Sequence, residues 1–217
     1  MKIAIAGYGV EGEANYSYFS RLPDADITIV DENDAPKLPI PAGAHTILGP
    51  GSLQNLDGFD LVIRTAGLSP EKIHTNGKIW SATNEFFEKC PAKIIGVTGT
   101  KGKGTTSSMI AEILKAAGKK VWLLGNIGVA SLSKIDEINP DDIVVYELSS
   151  FQLWDLKRSP QIAVVLPIEA EHLDVHKDFD DYINAKSNIR RHQGADDVCI
   201  YYYDNAETRR VAQSGSE

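Results

Sequence analysis

The chain has 217 residues, 42% hydrophobic and 24% charged, enough to bury one large core or two modest ones without covalent staples. Its 30 acidic residues outnumber 22 basic ones, and the formal charge of −8 argues against general affinity for nucleic acid or an anionic membrane. Cys90 and Cys199 form no CxxC or metal spacing, so a reduced, cytoplasmic setting is expected, and no run approaches the roughly 18 apolar residues of a membrane helix. Lys2–Ala6 predicts a buried strand, followed by a glycine turn and a helix over about Glu11–Ser20. Ile27–Val30 predicts a second strand ending at Asp31, then a proline-rich loop from Pro36 to Pro41, a strand at Leu61–Ile63 and a short helix over Thr83–Glu88. After Pro91 the plan restarts, with a strand at Lys93–Val97, a glycine loop and a helix over about Thr105–Ala117, stopped by Gly118. Further strands are expected at Val121–Leu124, Ile143–Tyr146, Ile162–Val165 and Val198–Tyr201, with a helix over Asp178–Arg191. Alternating strands and helices predict an α/β protein with two nucleotide-type domains, 1–91 and 92–217.

Two glycine loops carry the chemistry. Gly7-Tyr8-Gly9-Val10-Glu11-Gly12 matches GxGxxG after a strand, where glycines allow backbone to approach a phosphate at a helix N-terminus. Asp31 stands where a ribose-binding acid would in a dehydrogenase. A dinucleotide, another nucleotide-like ligand and purely structural glycines all remain open on this loop alone. The second loop, Thr98-Gly99-Thr100-Lys101-Gly102-Lys103-Gly104-Thr105-Thr106, lies between an apolar strand and an amphipathic helix, the setting of a P-loop. Backbone N–H groups of Gly99 to Gly104 would line an anion nest, and Lys103 would reach the outer phosphates of ATP. Gly104 replaces the Ser or Thr that usually follows the lysine, so a Mg²⁺-binding hydroxyl must come from Thr105 or Thr106. Glu147 closes a predicted strand, a position that suits a Mg²⁺-binding carboxylate as well as a helix cap.

Several segments together resemble the Mur ligase family, ATP-dependent amide ligases of bacterial cell-wall synthesis. Glu147-Leu148-Ser149-Ser150-Phe151-Gln152-Leu153 and Gly125-Asn126-Ile127-Gly128 resemble the member that adds D-glutamate. Glu171-His172-Leu173-Asp174-Val175-His176 resembles the family's DHLDxH segment, departing at Glu171. Tyr182-Ile183-Asn184-Ala185-Lys186 resembles its YxxAK segment. The glycine after Lys103 is instead similar to folylpolyglutamate synthase, a related ligase that begins with its P-loop domain.

The resemblance implies a Rossmann-like N-terminal domain that binds the UDP part of UDP-N-acetylmuramoyl-L-alanine, with Val10, Glu11, Asp31, Glu32, Thr65, Ala66 and Gly67 facing it. It implies ATP on Gly99, Thr100, Lys101, Gly102, Lys103, Gly104, Thr105 and Thr106 of a central domain. Mg²⁺ would be held by Glu147 with Thr105, and a second Mg²⁺ by His172 with a carbamylated Lys186. Lys103, His172 and Lys186 are the implied catalytic residues, while Asn126 and Ser149 would orient substrate. The implied reaction joins D-glutamate to the L-alanyl carboxylate through an acyl phosphate, releasing ADP and phosphate, in a monomer of peptidoglycan biosynthesis. The family's third domain, which binds the incoming amino acid, is expected to be absent, leaving this chain inactive alone. The rivals are a folylpolyglutamate-synthase-like ligase, an NAD-dependent dehydrogenase and a non-catalytic nucleotide-binding module.

Overall fold

The computed structural model describes residues 1–127 and 129–215; Gly128 of the expected Gly-Asn-Ile-Gly turn, Ser216 and Glu217 lie outside the described residues. The chain divides into two compact units, Met1–Glu85 and Phe86–Glu217. The first holds β1 (Lys2–Ala6), α1 (Val10–Phe19), β2 (Asp26–Asp31), β3 (His45–Leu48), β4 (Leu61–Arg64) and β5 (Lys78–Ser81). Helix α2 (Ala82–Lys89) carries the chain into the second unit. Its rings Phe86 and Phe87 pack on Tyr146, with centroids 5.2 and 5.3 Å away, so the break falls inside this helix, ahead of Pro91. The second unit continues with β6 (Lys93–Thr98), α3 (Lys103–Ala116), β7 (Val121–Gly125), β8 (Ile143–Glu147) and α4 (Ser150–Leu153). It ends with β9 (Ile162–Val165), α5 (Phe179–Arg191), β10 (Val198–Tyr201) and α6 (Ala206–Ala212).

Each unit is built on a five-stranded sheet, ordered β3-β2-β1-β4-β5 and β10-β9-β6-β8-β7, with every pairing parallel. A parallel sheet buried on both faces requires near-continuous apolar strands. The central strands obey: Ile3 to Ala6 of β1 and Ile94 to Thr98 of β6 are all buried. Ala4, Ala6, Val30, Leu53, Leu56 and Val62 make one core of the first unit. Ile95, Val97, Ala111 and Val145 anchor α3 to the second sheet. Fully burying a side chain of this size contributes roughly 1.5–3 kcal/mol. Each central strand has neighbours reached by crossovers of opposite direction, which opens a crevice at its C-terminal end. Both glycine loops leave their sheets at these crevices.

Candidate functional site

In the first unit, β1 ends at Gly7, whose N–H donates to Val30 O at 2.8 Å and whose φ is +91°. A Cβ at Gly7 would stand 2.3 Å from Thr65 Oγ1, and one at Gly12 would stand 2.2 Å from Gly7 O. Both positions therefore require glycine: one lets the loop turn against β4, the other seats α1 on the loop. The result is a cavity of about 480 Å³ lined by Gly7 to Glu11, Asp31, Asn33, Pro36, Lys37 and Thr65.

The buried Asp31 braces this cavity. Its Oδ2 accepts the Tyr8 N–H at 2.6 Å, and its Oδ1 accepts the Asn33 backbone N–H at 2.8 Å and side-chain amide at 2.7 Å. Three of the roughly four lone-pair sites of the carboxylate are thus in use within the protein. Glu11 Oε2 accepts the Ala66 N–H at 2.9 Å, tying α1 to the loop after β4. Burial pushes the Glu11 carboxyl above its usual range, while the Ala66 N–H and the Arg64 charge act in the opposite direction. Arg64 is fully buried, and its guanidinium donates to the carbonyls of Thr65, Ala66 and Leu68, which fixes that loop. Val10, Glu32 and Gly67 are exposed.

In the second unit, the loop after β6 winds through Gly99 (φ +151°) and Gly102 (φ +82°) into α3. Thr100 is buried and ties the loop to the segment after β9: its Oγ1 donates to Glu169 O at 3.0 Å and accepts the Glu169 N–H at 2.9 Å. Lys103 folds over its own loop, donating to Gly99 O at 3.1 Å and Thr100 O at 2.9 Å. Lys186, on α5, is 1% exposed and donates to the same Gly99 O at 3.0 Å and to Thr98 Oγ1 at 3.3 Å. Two ammonium groups thus meet at one carbonyl oxygen. Burial first, and the Lys103 charge second, lower the Lys186 pKa from 10.5 to about 7, with Glu171 opposing.

Glu147 is buried at the end of β8, where Oε1 accepts the Asn126 side-chain amide at 3.2 Å. Its Oε2 lies 3.1 Å from where a Cβ of Gly104 would stand, so glycine after Lys103 lets this carboxylate close on the start of α3. Lys101 and Thr105 are exposed. The Ser149 hydroxyl is engaged in a capping box with Gln152 at the start of α4. His172 adopts φ +58°, a left-handed conformation that histidine enters more readily than most residues. Its ring packs on Phe151 at 4.9 Å and Nε2 lies 3.7 Å from Glu171. Among the described residues no group of three or more His, Cys, Asp or Glu gathers as a metal cage.

Lys103, Lys186, Thr100 and Glu147 therefore surround one loop, and the sequence from residue 97 to 217 matches the model of the Mur ligase middle domain. The chain belongs to the Mur ligase family. It is 44% identical over 97% of its length to a UDP-N-acetylmuramoylalanine--D-glutamate ligase of Acetivibrio thermocellus, covering 48% of that protein. A Clostridium botulinum protein of the same name is 36% identical over 94% of the chain, which covers 47% of it. The chain spans about half the length of the curated relatives it matches. A crystal structure of a UDP-N-acetylmuramate:L-alanyl-gamma-D-glutamyl-meso-diaminopimelate ligase from Neisseria meningitides shares the fold, with a TM-score of 0.57 at 17% identity, over 99% of this chain and 75% of that one. No helix among the described residues is long and apolar enough to cross a membrane.

The Mur ligase motifs also hold residues to which sequence reading assigned no role. His176 is buried, with Nδ1 2.8 Å from Asp181 Oδ2 and Nε2 2.9 Å from Ser150 Oγ. With its proton facing the carboxylate, it accepts the serine hydroxyl and ties the first turn of α4 to that of α5. Its ring stacks on Phe151 at 5.4 Å and 9°. The Tyr182 hydroxyl lies 3.2 Å from Thr100 Oγ1, and its ring lies under Lys186 Nζ at 4.7 Å. Both residues sit inside motifs quoted above, so proximity to His172 and Lys186 was the available signal. Their partners, distant in sequence, were not.

Proposed function

We propose that this chain carries the UDP-substrate and ATP sites of an ATP-dependent amide ligase of peptidoglycan precursor synthesis, one that joins D-glutamate to UDP-N-acetylmuramoyl-L-alanine. The observation that carries the reading is the meeting of Lys103 and Lys186 on Gly99 O, beside a glycine loop and the buried Glu147. The Lys103 charge and the loop's N–H groups favour a phosphate, while the crowding of the two lysines disfavours the charged form of Lys186. The names of the relatives supply the substrates.

The residues fit Mg²⁺ shared with phosphates, which needs one or two carboxylates rather than a full protein cage. Glu147 would hold it with Thr105, and His172 would serve a second ion with Lys186. Bound there, the metal would neutralise charge on the transferred phosphoryl group. Lys103 would leave its own carbonyls for the outer phosphates of ATP and stabilise the charge that develops as the L-alanyl carboxylate attacks. The amine of D-glutamate would then displace phosphate from the acyl phosphate. Lys186 is suited to carbamylation: the pKa of about 7 leaves a substantial neutral fraction, whose nitrogen attacks CO₂ and loses a proton. The carbamate turns a metal-repelling ammonium into two anionic oxygens. In the first unit the cavity between Gly7 and Thr65 would take the uridine diphosphate.

Titration of the chain with Mg²⁺·ATP tests the central part. Lys103→Ala is expected to weaken binding by about 10- to 100-fold, the value of one charge-assisted contact, with an unchanged circular dichroism spectrum. Equal affinity in the variant would reduce the loop to a bare turn.

A further inference from the structure

The glycine-loop cavity of the first unit holds an anion of its own. Glu11 sits in the first turn of α1, where the helix end favours negative charge. Its Oε2 takes the Ala66 N–H at 2.9 Å, across the crevice from Gly7. A phosphate entering this crevice would need the same donors, the start of α1 and the Ala66 N–H. We propose that Glu11 is a specificity-determining residue: its carboxylate occupies the phosphate position of the cavity, and a phosphate diester enters only as Glu11 takes up a proton. The proposal rests on the reading of this cavity as a uridine diphosphate site.

The step balances simply. The carboxylate takes one proton from solvent, releases the Ala66 N–H to a phosphate oxygen and donates its new O–H to another. An ionised Glu11 would instead place its charge against the diester. The charged surroundings decide which occurs. Arg64, from the end of β4, attracts Glu11, but its guanidinium is committed to three carbonyls of the following loop. Asp31, from the end of β2, adds a second negative group to the cavity, and Lys37, on the loop that follows, is the exposed cation of its lining. Glu13, farther along α1, acts on the neighbouring Tyr8 and adds negative charge to the same end of the helix. Burial already raises the Glu11 carboxyl, the direction that protonation on binding requires.

Calorimetric titration of the 217-residue chain with UDP-N-acetylmuramoyl-L-alanine tests this, at about pH 6 and about pH 8 in buffers of different protonation enthalpy. The diester phosphates of this ligand do not titrate in that range, so proton uptake reports on the protein. Uptake approaching one proton is expected, with affinity falling by up to about tenfold per unit rise in pH. Glu11→Gln keeps an acceptor for Ala66 and should bind more tightly than wild type at the higher pH, without proton uptake. Wild-type binding that is independent of pH and buffer, or proton uptake retained in Glu11→Gln, would overturn the proposal. The wild-type measurement decides by itself if the variant does not fold. Failure of the wild-type chain to bind at any pH would overturn the uridine diphosphate reading, and the role of Glu11 with it.

Discussion

The two glycine loops leave equivalent places in two similar sheets, yet they are stabilised in opposite ways. Around Gly7–Gly12 the nearby carboxylates are absorbed by backbone: Asp31 holds Tyr8 and Asn33, and Glu11 holds Ala66. Around Gly99–Gly104 two lysines converge on a carbonyl, and Glu147 stands against the start of α3. The first loop pairs its carboxylates within the protein, whereas the second concentrates like charge that an anion would relieve. The same topology thus supports a loop braced by its own carboxylates in one unit and a loop crowded with like charge in the other.

Glycine substitutions should break the symmetry most strongly. Gly12→Ala drives a Cβ to 2.2 Å from the Gly7 carbonyl, a backbone atom with little room to yield. A loss of about 3 kcal/mol in stability is expected from such overpacking, read by urea denaturation. Gly104→Ala meets the Glu147 carboxylate at 3.1 Å, a side-chain atom that can move. It should leave stability within about 1 kcal/mol while weakening Mg²⁺·ATP binding. Equal destabilisation by the two would erase the contrast between a loop packed against its own backbone and one that faces a movable side chain.

The strain in the second loop has its own pH signature. Lys186 loses its proton at about 7 in the folded chain but at 10.5 in the unfolded one. Between those values the unfolded chain holds more protons, so stability should rise with pH across this window, and the penalty is complete below it. Lys186→Met should therefore stabilise the ligand-free chain by a few kcal/mol below neutrality, a difference that fades toward pH 10.5. Denaturation curves for both proteins across that range would show it, and parallel curves would remove Lys186 as a source of strain.

Asp142, away from both loops, calibrates the scale. The Trp122 indole N–H at 2.8 Å, the Asn139 N–H at 3.0 Å and Lys120 hold its carboxyl at about 2, below the usual 3.8. Its contribution is present above the usual value and lost as pH falls through the lower one. Asp142→Asn should give a smaller effect than either lysine or glycine substitution, seen as a shallower acid-unfolding transition between those values. An acid transition identical to wild type would show that Asp142 adds nothing.

Where apolar runs are long, sequence and structure agree closely: β1, β2, β6, β8, α3 and α5 lie within two residues of their expected spans. Both edge strands of the first sheet escaped. His45–Leu48 and Lys78–Ser81 form β3 and β5 at the rims of the first sheet, where exposure on one side blurs the apolar pattern. Helices α4 and α6 are only four and seven residues long and are set by caps, Ser149 and Asn205, rather than by periodicity. Among the expected site residues, the glycine turn between β6 and α3 was legible because its signal lies in consecutive residues. Lys186 was legible only through a resemblance, since a lysine in a helix reads as solvated until α5 is packed over Thr98. The link from Ser150 through His176 to Asp181 depends on tertiary packing that no local pattern encodes.

The all-parallel sheets also set the order in which this chain can fold. No strand can pair with the next through a hairpin, and each ladder must wait for a crossover to close. Strand β1 binds β2 on one side and β4 on the other, so Ile3 acquires its second partner only when Leu61 is available. Strand β6 likewise gains β8 and β9 only after Ile143 and Ile162. At a synthesis rate of roughly 10 residues per second, these apolar central strands stay half-paired for several seconds as the chain emerges. The most buried segments of each unit are thus ones whose pairing is completed only by two later segments as the chain emerges.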